Sequence, residues 1–446
     1  MALESGRLGS DELNKNFDDI HPAFPETRAL VEANRCLYCY DAPCTKACPT
    51  TIDVPKFIKQ ISSGNVKGSA HTIMSSNVFG GGCARVCPTE KLCEGACVLN
   101  GLHEEPIPIG QLQRYSTDQM LQEKWQLFER KPSNGKKVAV VGAGPAGLAC
   151  AHALSLDGVD VDVFEKEQKG GGLMTYGVAA YKVTPKFCED EVDYIVSLGG
   201  IDVKYQQALG KDVQLADLKK DYDAVFLGLG LGKTRTLEVP GEDLEGVIDA
   251  MSYIYDIRTE DRSKIAVGER VAVIGLGMTA VDAARQSRRL GAEQVTLVYR
   301  RTEKEMPSTE KEYTEAKTDG ISTMFLASPK EIKGEGGKVT TLVCDKMKLG
   351  PADDSGRRRP EATGETVDLE VDMVIKALGQ TPFQDLFGDI EMKNEWGRLV
   401  VNENGQTSDD KIFAGGDCAN GGMEVVNAVE EGKIAAAGML NYLGVN

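Results

Sequence analysis

V-A-V-V-G-A-G-P-A-G-L, residues 138–148, decides the fold. Four apolar residues make a short buried strand that runs straight into a turn with glycine at 142, 144 and 147. Gly142 permits the tight turn, Gly144 lets a ligand approach the backbone, and Gly147 lets the helix pack closely on the strand. Ala143, Pro145 and Ala146 complete the turn and open the helix, whose free N–H groups and positive dipole end suit a pyrophosphate. A helix over 148–156 and a strand over 159–165 make this a βαβ unit. Glu165 lies 18 residues beyond Gly147, where such folds set a carboxylate on a ribose hydroxyl pair.

The pattern returns downstream. A strand over 271–274 enters G-L-G-M-T-A at 275–280, followed by a helix to about 290 and a strand over 295–300. Gly275 and Gly277 hold the first two glycine positions, Met278 and Thr279 open the helix, and Ala280 takes the third position. Twenty residues beyond Ala280 the chain reads Y-R-R, not an acid. Arg300 and Arg301 fit a 2′-phosphate, which favours NADPH over NADH; the plainer reading is a solvated basic turn. Strands over 224–228 and 373–377 fill out the two sheets, while 334–337 and 351–365 read as polar loops or hairpin connections. R-R-R at 357–359 reads as a solvated loop.

Upstream, K-P-S-N-G-K-K at 131–137 is a linker, and residues 1–130 read as helical, as in V-P-K-F-I-K-Q-I with apolar residues at helical spacing. Two four-cysteine runs interrupt these helices: Cys36, Cys39, Cys44 and Cys48, then Cys83, Cys87, Cys93 and Cys97. Each contains Cys-Pro, at 48–49 and 87–88, and together they point to a pair of [4Fe–4S] clusters. Zinc needs comparable ligand pairs and stays open as a second reading. Disulfides are the weakest, because the polar, mixed-charge first 30 residues show no secretory signal and the expected compartment is the cytoplasm.

Bulk properties bound the rest. The 446 residues suffice for two to four domains. A net charge of −17 argues against nucleic acid as a partner. No apolar run reaches the roughly 18–20 residues of a membrane span. The fold class is multidomain: an α-helical iron–sulfur domain followed by two α/β Rossmann-like nucleotide-binding domains, which the resemblance described next makes nested.

R-C-L-Y-C-Y-D-A-P-C-x3-C-P, then G-G-C-A-R-V-C-P-T-E-K-L-C-E-G-A-C, then P-I-P-I-G-Q-L-Q-R-Y, resembles the N-terminal half of the dihydropyrimidine dehydrogenases. Their separate bacterial NAD-dependent subunit is the nearer likeness, and the small subunit of glutamate synthase a more distant one. The resemblance covers nearly the whole chain. It implies that Cys36, Cys39, Cys44 and Cys97 hold one cluster, and that Cys48, Cys87, Cys93 and Gln113 hold the other, with Cys83 spare. Glutamate synthase small subunits resemble the same pattern with glutamate at the Gln113 position, so the glutamine favours the pyrimidine branch. An ordinary helix residue is the alternative for Gln113, and Gln111 lies two residues away. A neutral amide in place of a thiolate makes that cluster more positive and raises its potential.

The resemblance makes the first nucleotide site an FAD site. G-G-G-L-M-T-Y-G-V at 170–178 matches the loop beside the flavin, hence Gly172 and Leu173, with Lys182 at a basic position. I-F-A-G-G-D at 412–417 matches the strand end where an aspartate meets the ribityl chain, hence Gly416 and Asp417, with a helix from about 424. A flavin site split in this way makes the second nucleotide domain an insertion in the first. K-A-L-G-Q at 376–380 matches the nicotinamide-side crossing, hence Ala377 and Gly379. Met278 departs from the Asn or Asp often found there, and the second arginine of the mammalian-type enzyme is missing from E-K-E-M-P-S.

The expected domains are 1–130 with two clusters, 131–248 with 376–446 for FAD, and 249–375 for NAD(P)H. The remaining cysteines, Cys150, Cys188, Cys344 and Cys418, are isolated, and no hydrolase motif or histidine ligand spacing occurs. No catalytic acid or base is assigned, since hydride transfer needs alignment instead. The expected function is an oxidoreductase subunit that takes electrons from NAD(P)H through FAD and two clusters. By resemblance, a separate FMN- and iron–sulfur-containing subunit then reduces uracil or thymine within a hetero-oligomer. The rivals are the reductase subunit of a glutamate synthase or another NAD(P)H:acceptor system, and a cluster-bearing scaffold without turnover.

Overall fold

A computed structural model describes residues 3–352, 358–383 and 386–445. The chain forms two compact units, 1–20 with 176–181 and 233–380, and 21–175 with 182–232 and 381–446. The second of these is interrupted by the first.

The larger unit contains the cysteine-bearing helices and the first α/β sheet. Asp53 caps the helix Val54–Ser62 by accepting from the Lys56 amide, and its apolar Val54, Phe57, Ile58 and Ile61 are all buried. Asn65 caps Val66–Ser76 in the same way. The helices Gly80–Val86 and Ile109–Gln122 follow, packed against each other. Five parallel strands run in the order Ile412–Ala414, Ala224–Leu227, Lys137–Val141, Asp160–Glu165, Ile201–Tyr205. The helix Pro145–Leu156 is buried almost throughout and packs on the C-terminal helix Val425–Leu443. Gly432 makes that approach possible, since a Cβ there would stand 2.2 Å from the Ala146 carbonyl oxygen. Phe57, Ile73 and Leu112 share one core with Val138, Leu148 and Val429, so no structural seam falls at residue 130.

The other unit has its own parallel sheet, in the order Val247–Asp249, Met373–Lys376, Arg270–Ile274, Gln294–Tyr299, Ser322–Phe325. Residues 1–20, expected with the cysteine helices, belong here. The helix Ser10–Asn16 turns Leu13 inward, and Leu13 and Phe17 join the core of Ile257 and Leu290. Of residues 351–365, expected as a loop or hairpin connection, 351–352 and 358–365 are strand on either side of such a connection. Ala327–Glu335, Lys338–Ala352 and Arg358–Glu370 form an antiparallel sheet, with Gly336 and Gly337 at φ +59° and +83° in the first turn. Arg358 and Arg359 lie in that last strand, and Arg358 Nε donates to the Gly350 carbonyl at 3.0 Å. Arg357 lies outside the described residues.

Candidate functional site

The structure brings the two cysteine runs together. Cys36, Cys39 and Cys44 from the first and Cys97 from the second line one pocket, closed by Val54, Ile58 and Ile109. The chain passes through left-handed backbone at Tyr38 (φ +50°) and Ala42 (φ +36°) between these cysteines. Burial raises the Cys36 thiol, aided by Cys39 and Cys97, and raises Cys44 to about 11, aided by Cys36 and Cys97. The pocket thus gathers four soft sulfur donors, two of them thiols whose raised pKa a bound cationic centre would offset. The donor set therefore fits an iron–sulfur cluster.

Cys93 lies within electrostatic reach of both Cys48 and Cys87. Burial raises the Cys93 thiol, which also feels Glu94, Cys48 and Cys44. Cys87 is raised by its hydrogen bond to Cys83, then by burial and by Cys93. The Gln113 amide is buried, and its Nε2 donates to the Gly80 carbonyl at 2.6 Å. That bond fixes the amide orientation and commits the nitrogen, leaving Oε1 as the available donor atom. Cys83 is buried and accepts from Asn77 Nδ2 at 3.2 Å. Among the described residues no three His, Cys, Asp or Glu side chains converge on a single ion. One tetrahedral zinc holds its thiolates within about 4 Å of one another, given Zn–S of about 2.3 Å.

The first glycine turn is built as its spacing requires. Gly142 has φ +99°, and a Cβ on Gly147 would stand 1.9 Å from the Gly142 carbonyl oxygen. Glu165 is buried at the strand end; its carboxylate accepts from the Ala143 amide at 2.7 Å and from Glu167 at 2.9 Å. Burial raises its pKa against those two bonds. Gly172 reaches the turn, where its Cβ would stand 2.9 Å from Gly144 Cα, and the Gly171 amide donates to the Ala143 carbonyl at 2.7 Å. Leu173 is exposed and Lys182 half-buried. Gly416 (φ +74°) meets the same helix start, since its Cβ would stand 3.0 Å from Ala146 Cβ. Asp417 follows, partly buried and raised by that burial, accepting from the Met423 amide at 3.3 Å. Gly142 to Gly147, Gly172 and Gly416 thus share one cradle that side chains would fill.

The second turn is similar in backbone. Gly275 has φ +127°, and a Cβ there would stand 2.5 Å from the Ala377 carbonyl oxygen. Ala377 is thereby placed against the turn, and its amide donates to Ile274 at 2.9 Å. Gly277 is open, with Met278 and Thr279 half-buried at the helix start. Gly379 (φ +82°) is exposed. Arg300 is exposed just past the strand, and Arg301 holds a buried Nε without a partner.

Two groups escaped the sequence reading. Glu191 is 2 % exposed and accepts from the Gly82 amide at 2.8 Å. The Gly80–Gly82 triplet inside a helix was its only signal, since three glycines mark a close approach. Tyr181, Asp282 and Gln286 form a buried polar group, in which Asp282 accepts from the Ala179 amide at 3.3 Å. Cys150, Cys188, Cys344 and Cys418 are all buried, and burial raises Cys150.

Residues 136–432 match the family model of pyridine nucleotide-disulphide oxidoreductases, and residues 13–125 match that of dihydropyrimidine dehydrogenase domain II, 4Fe-4S cluster. These models imply FAD, a nicotinamide nucleotide and a 4Fe–4S cluster. The small chain of glutamate synthase [NADPH] from Escherichia coli K12 is 36 % identical over 96 % of this chain and 94 % of its own. The NAD-dependent dihydropyrimidine dehydrogenase subunit PreT of Salmonella typhimurium is 35 % identical over 96 % of this chain and 97 % of its own. The glutamate synthase relative, expected to be the more distant, thus stands as near as the pyrimidine one. Two solved structures share the fold of the nucleotide-binding part. FprA of Mycobacterium tuberculosis with NADPH has TM-score 0.61 and 21 % identity over 70 % of this chain and 85 % of its own. Thioredoxin reductase of Lactococcus lactis has TM-score 0.55 and 21 % identity over 69 % of this chain and 99 % of its own. No helix among the described residues is long and apolar enough to cross a membrane. With both models matched and near-full-length relatives above a third identical, the chain belongs to the pyridine nucleotide-disulphide oxidoreductases that carry an N-terminal 4Fe–4S module of the dihydropyrimidine dehydrogenase type.

Proposed function

We propose that this chain is the NAD(P)H-oxidising subunit of a cytoplasmic dihydropyrimidine dehydrogenase, passing electrons by way of FAD and two [4Fe–4S] clusters to a separate FMN- and iron–sulfur-containing subunit that reduces uracil or thymine. The carrying observation is the cavity that Cys97 of the second run shares with Cys36, Cys39 and Cys44 of the first. Bound FAD supplies a hydride acceptor that releases electrons singly, and bound clusters supply one-electron carriers.

The residues divide the work. Gly142, Ala143, Gly144, Pro145, Ala146 and Gly147 cradle the FAD pyrophosphate, and Glu165 takes its ribose while bracing the turn through Ala143. Gly172, Leu173, Lys182, Gly416 and Asp417 line the flavin side. Gly275, Gly277, Met278, Thr279, Ala377 and Gly379 receive the nicotinamide nucleotide, and Arg300 and Arg301 favour NADPH through a 2′-phosphate. Cys36, Cys39, Cys44 and Cys97 hold one cluster. Cys48, Cys87, Cys93 and Gln113 hold the other, with the Gly80 carbonyl orienting the amide. The clusters and FAD fall to the unit of 21–175, 182–232 and 381–446, and NAD(P)H to the unit of 1–20, 176–181 and 233–380.

The second reading is the reductase subunit of a glutamate synthase, favoured by the relative at 36 % identity. The amide at Gln113 supports the pyrimidine reading. An anaerobic preparation should be yellow, bleach with NADPH faster than with NADH, and hold about eight irons per chain. Far fewer irons sink the two-cluster claim. Co-purified with an FMN partner it should yield dihydrouracil; glutamate formation from glutamine and 2-oxoglutarate would select the second reading.

A further inference from the structure

The helix Gly80–Val86, which leads into Cys87, meets the FAD-type part of its own unit through three successive glycines. A Cβ on Gly81 would stand 2.6 Å from the Phe187 ring, and one on Gly82 would stand 2.7 Å from a Glu191 oxygen and 2.8 Å from Met174 Cε. A side chain at either position would have to displace Phe187, Met174 or Glu191. Glu191, buried on the helix Pro185–Val196, accepts the Gly82 amide at 2.8 Å and also engages the Gly81 amide. Two free N–H groups at a helix start are thereby satisfied by one carboxylate. Burial pushes Glu191 up to about 7, so holding a carboxylate here opposes its own solvation. Arg85 does not quench it by direct pairing: its guanidinium lies 3.6 Å over the Phe187 ring and pairs with Asp118 at 2.6 Å.

The loop on the other side of this contact reaches the first glycine turn. Met174 belongs to the segment whose Gly171 bonds Ala143 and whose Gly172 abuts Gly144. The Met174 carbonyl also accepts from the Cys188 thiol, one turn before Glu191 on the same helix, at 3.2 Å. An unbroken run of contacts therefore leads from the dinucleotide turn through Gly172, Met174 and Gly82 to the helix ending at Cys87.

We propose that Glu191 is a positioning residue for internal electron transfer: its carboxylate clamps the backbone of Gly81 and Gly82, fixing the cysteine-bearing helix against the flavin-side loop. This inference rests on the flavin-to-cluster reading above. One electron passes between the two sides, and Glu191 itself gains and loses no electron, proton or bond. Electron transfer falls steeply with separation, so a small retreat of the helix slows that step and spares the hydride step.

The test uses the anaerobic holoprotein mixed with NADPH, following flavin bleaching and the EPR signal of reduced clusters separately. In Glu191→Ala, bleaching and iron content should stay parental, while the cluster signal should appear about 10- to 100-fold more slowly. Glu191→Gln keeps an acceptor oxygen for Gly82 and should recover most of the rate. Hydrogen exchange across residues 79–87 should rise in Glu191→Ala and return in Glu191→Gln. Gly82→Ala opens the same contact from the other side, leaves the charge in place, and should show the same split. Parental cluster reduction in both Glu191→Ala and Gly82→Ala overturns the proposal. So does a joint fall of bleaching, iron content and cluster reduction in both. A parental protein that neither bleaches nor holds iron fails the functional reading itself.

Discussion

The two glycine turns share a backbone plan and differ at the strand end and the helix behind it. In the first, Gly147 has no room for a side chain, and Glu165 turns inward to brace the turn. In the second, Ala280 fills the third position, and Arg300 and Arg301 replace the acid. The helix after the first turn buries mostly apolar residues, with the Cys150 thiol and His152 its titratable side chains. The helix after the second buries Asp282, Arg285, Gln286 and Ser287, and Arg285 pairs with Glu315 and Asp319 at 2.6 and 2.7 Å. One backbone plan is thus closed and apolar behind its first copy, and charged behind its second.

The comparison breaks most sharply at Gly147. Gly147→Ala drives a methyl group into the Gly142 carbonyl and should cost at least about 3 kcal/mol, with loss of flavin absorbance relative to protein absorbance. Ala280→Gly should cost only about 1 kcal/mol of helix stability and keep nucleotide binding. A Gly147→Ala protein with parental flavin would remove the first turn from the FAD site. Replacing Arg300 and Arg301 together by alanine should raise KM for NADPH about 10- to 100-fold and leave KM for NADH within about twofold. Equal changes for both nucleotides would make the pair a solvated turn.

His152 sharpens the contrast between the helices. Burial depresses its pKa to about 4 from 6.5, so the unfolded chain binds the extra proton in between. Its stabilising contribution is complete above the unfolded value and is lost as pH falls toward the folded one. About 2 kcal/mol should disappear between about pH 7 and about pH 5. His152→Phe should lose less melting temperature than the parent over that interval, and parallel losses would exclude His152 as the source. The smallest effect belongs to Glu165→Gln, which keeps one acceptor and should weaken FAD retention by about 1 kcal/mol, measured by equilibrium release.

Both sheets were legible because their strands are short apolar runs ending in glycine turns. The strand read over 138–141 is Lys137–Val141, and the one read over 295–300 is Gln294–Tyr299. The cysteine runs were legible as runs, whereas which thiols share a cavity came only through resemblance, because spacing along a chain does not encode proximity. Residues 1–20 were misplaced because a short amphipathic helix carries no mark of the core it will join. Residues 358–365 read as part of a loop or hairpin connection because their charges, Pro360 and Gly364 suit an exposed strand and a turn equally. Glu191 sits in E-D-E-V-D, which reads as a solvated helix face, and only the packed helices reveal its burial.

The interrupted order of the larger unit has a consequence for biosynthesis. Its cysteine helices and four of its five sheet strands leave the ribosome before residue 233, but the fifth strand, Ile412–Ala414, and the helix Val425–Leu443 that covers Pro145–Leu156 come last. The intervening stretch 233–380 supplies no strand to that five-stranded sheet, so the nascent N-terminal portion waits with an open edge at Ala224–Leu227 and an uncovered apolar helix. Vectorial synthesis therefore exposes this half to misassembly for the time taken to translate roughly 180 further residues, on the order of 10–40 s. A stop codon only a few turns early, within Val425–Leu443, removes the cover of a helix made some 280 residues before it.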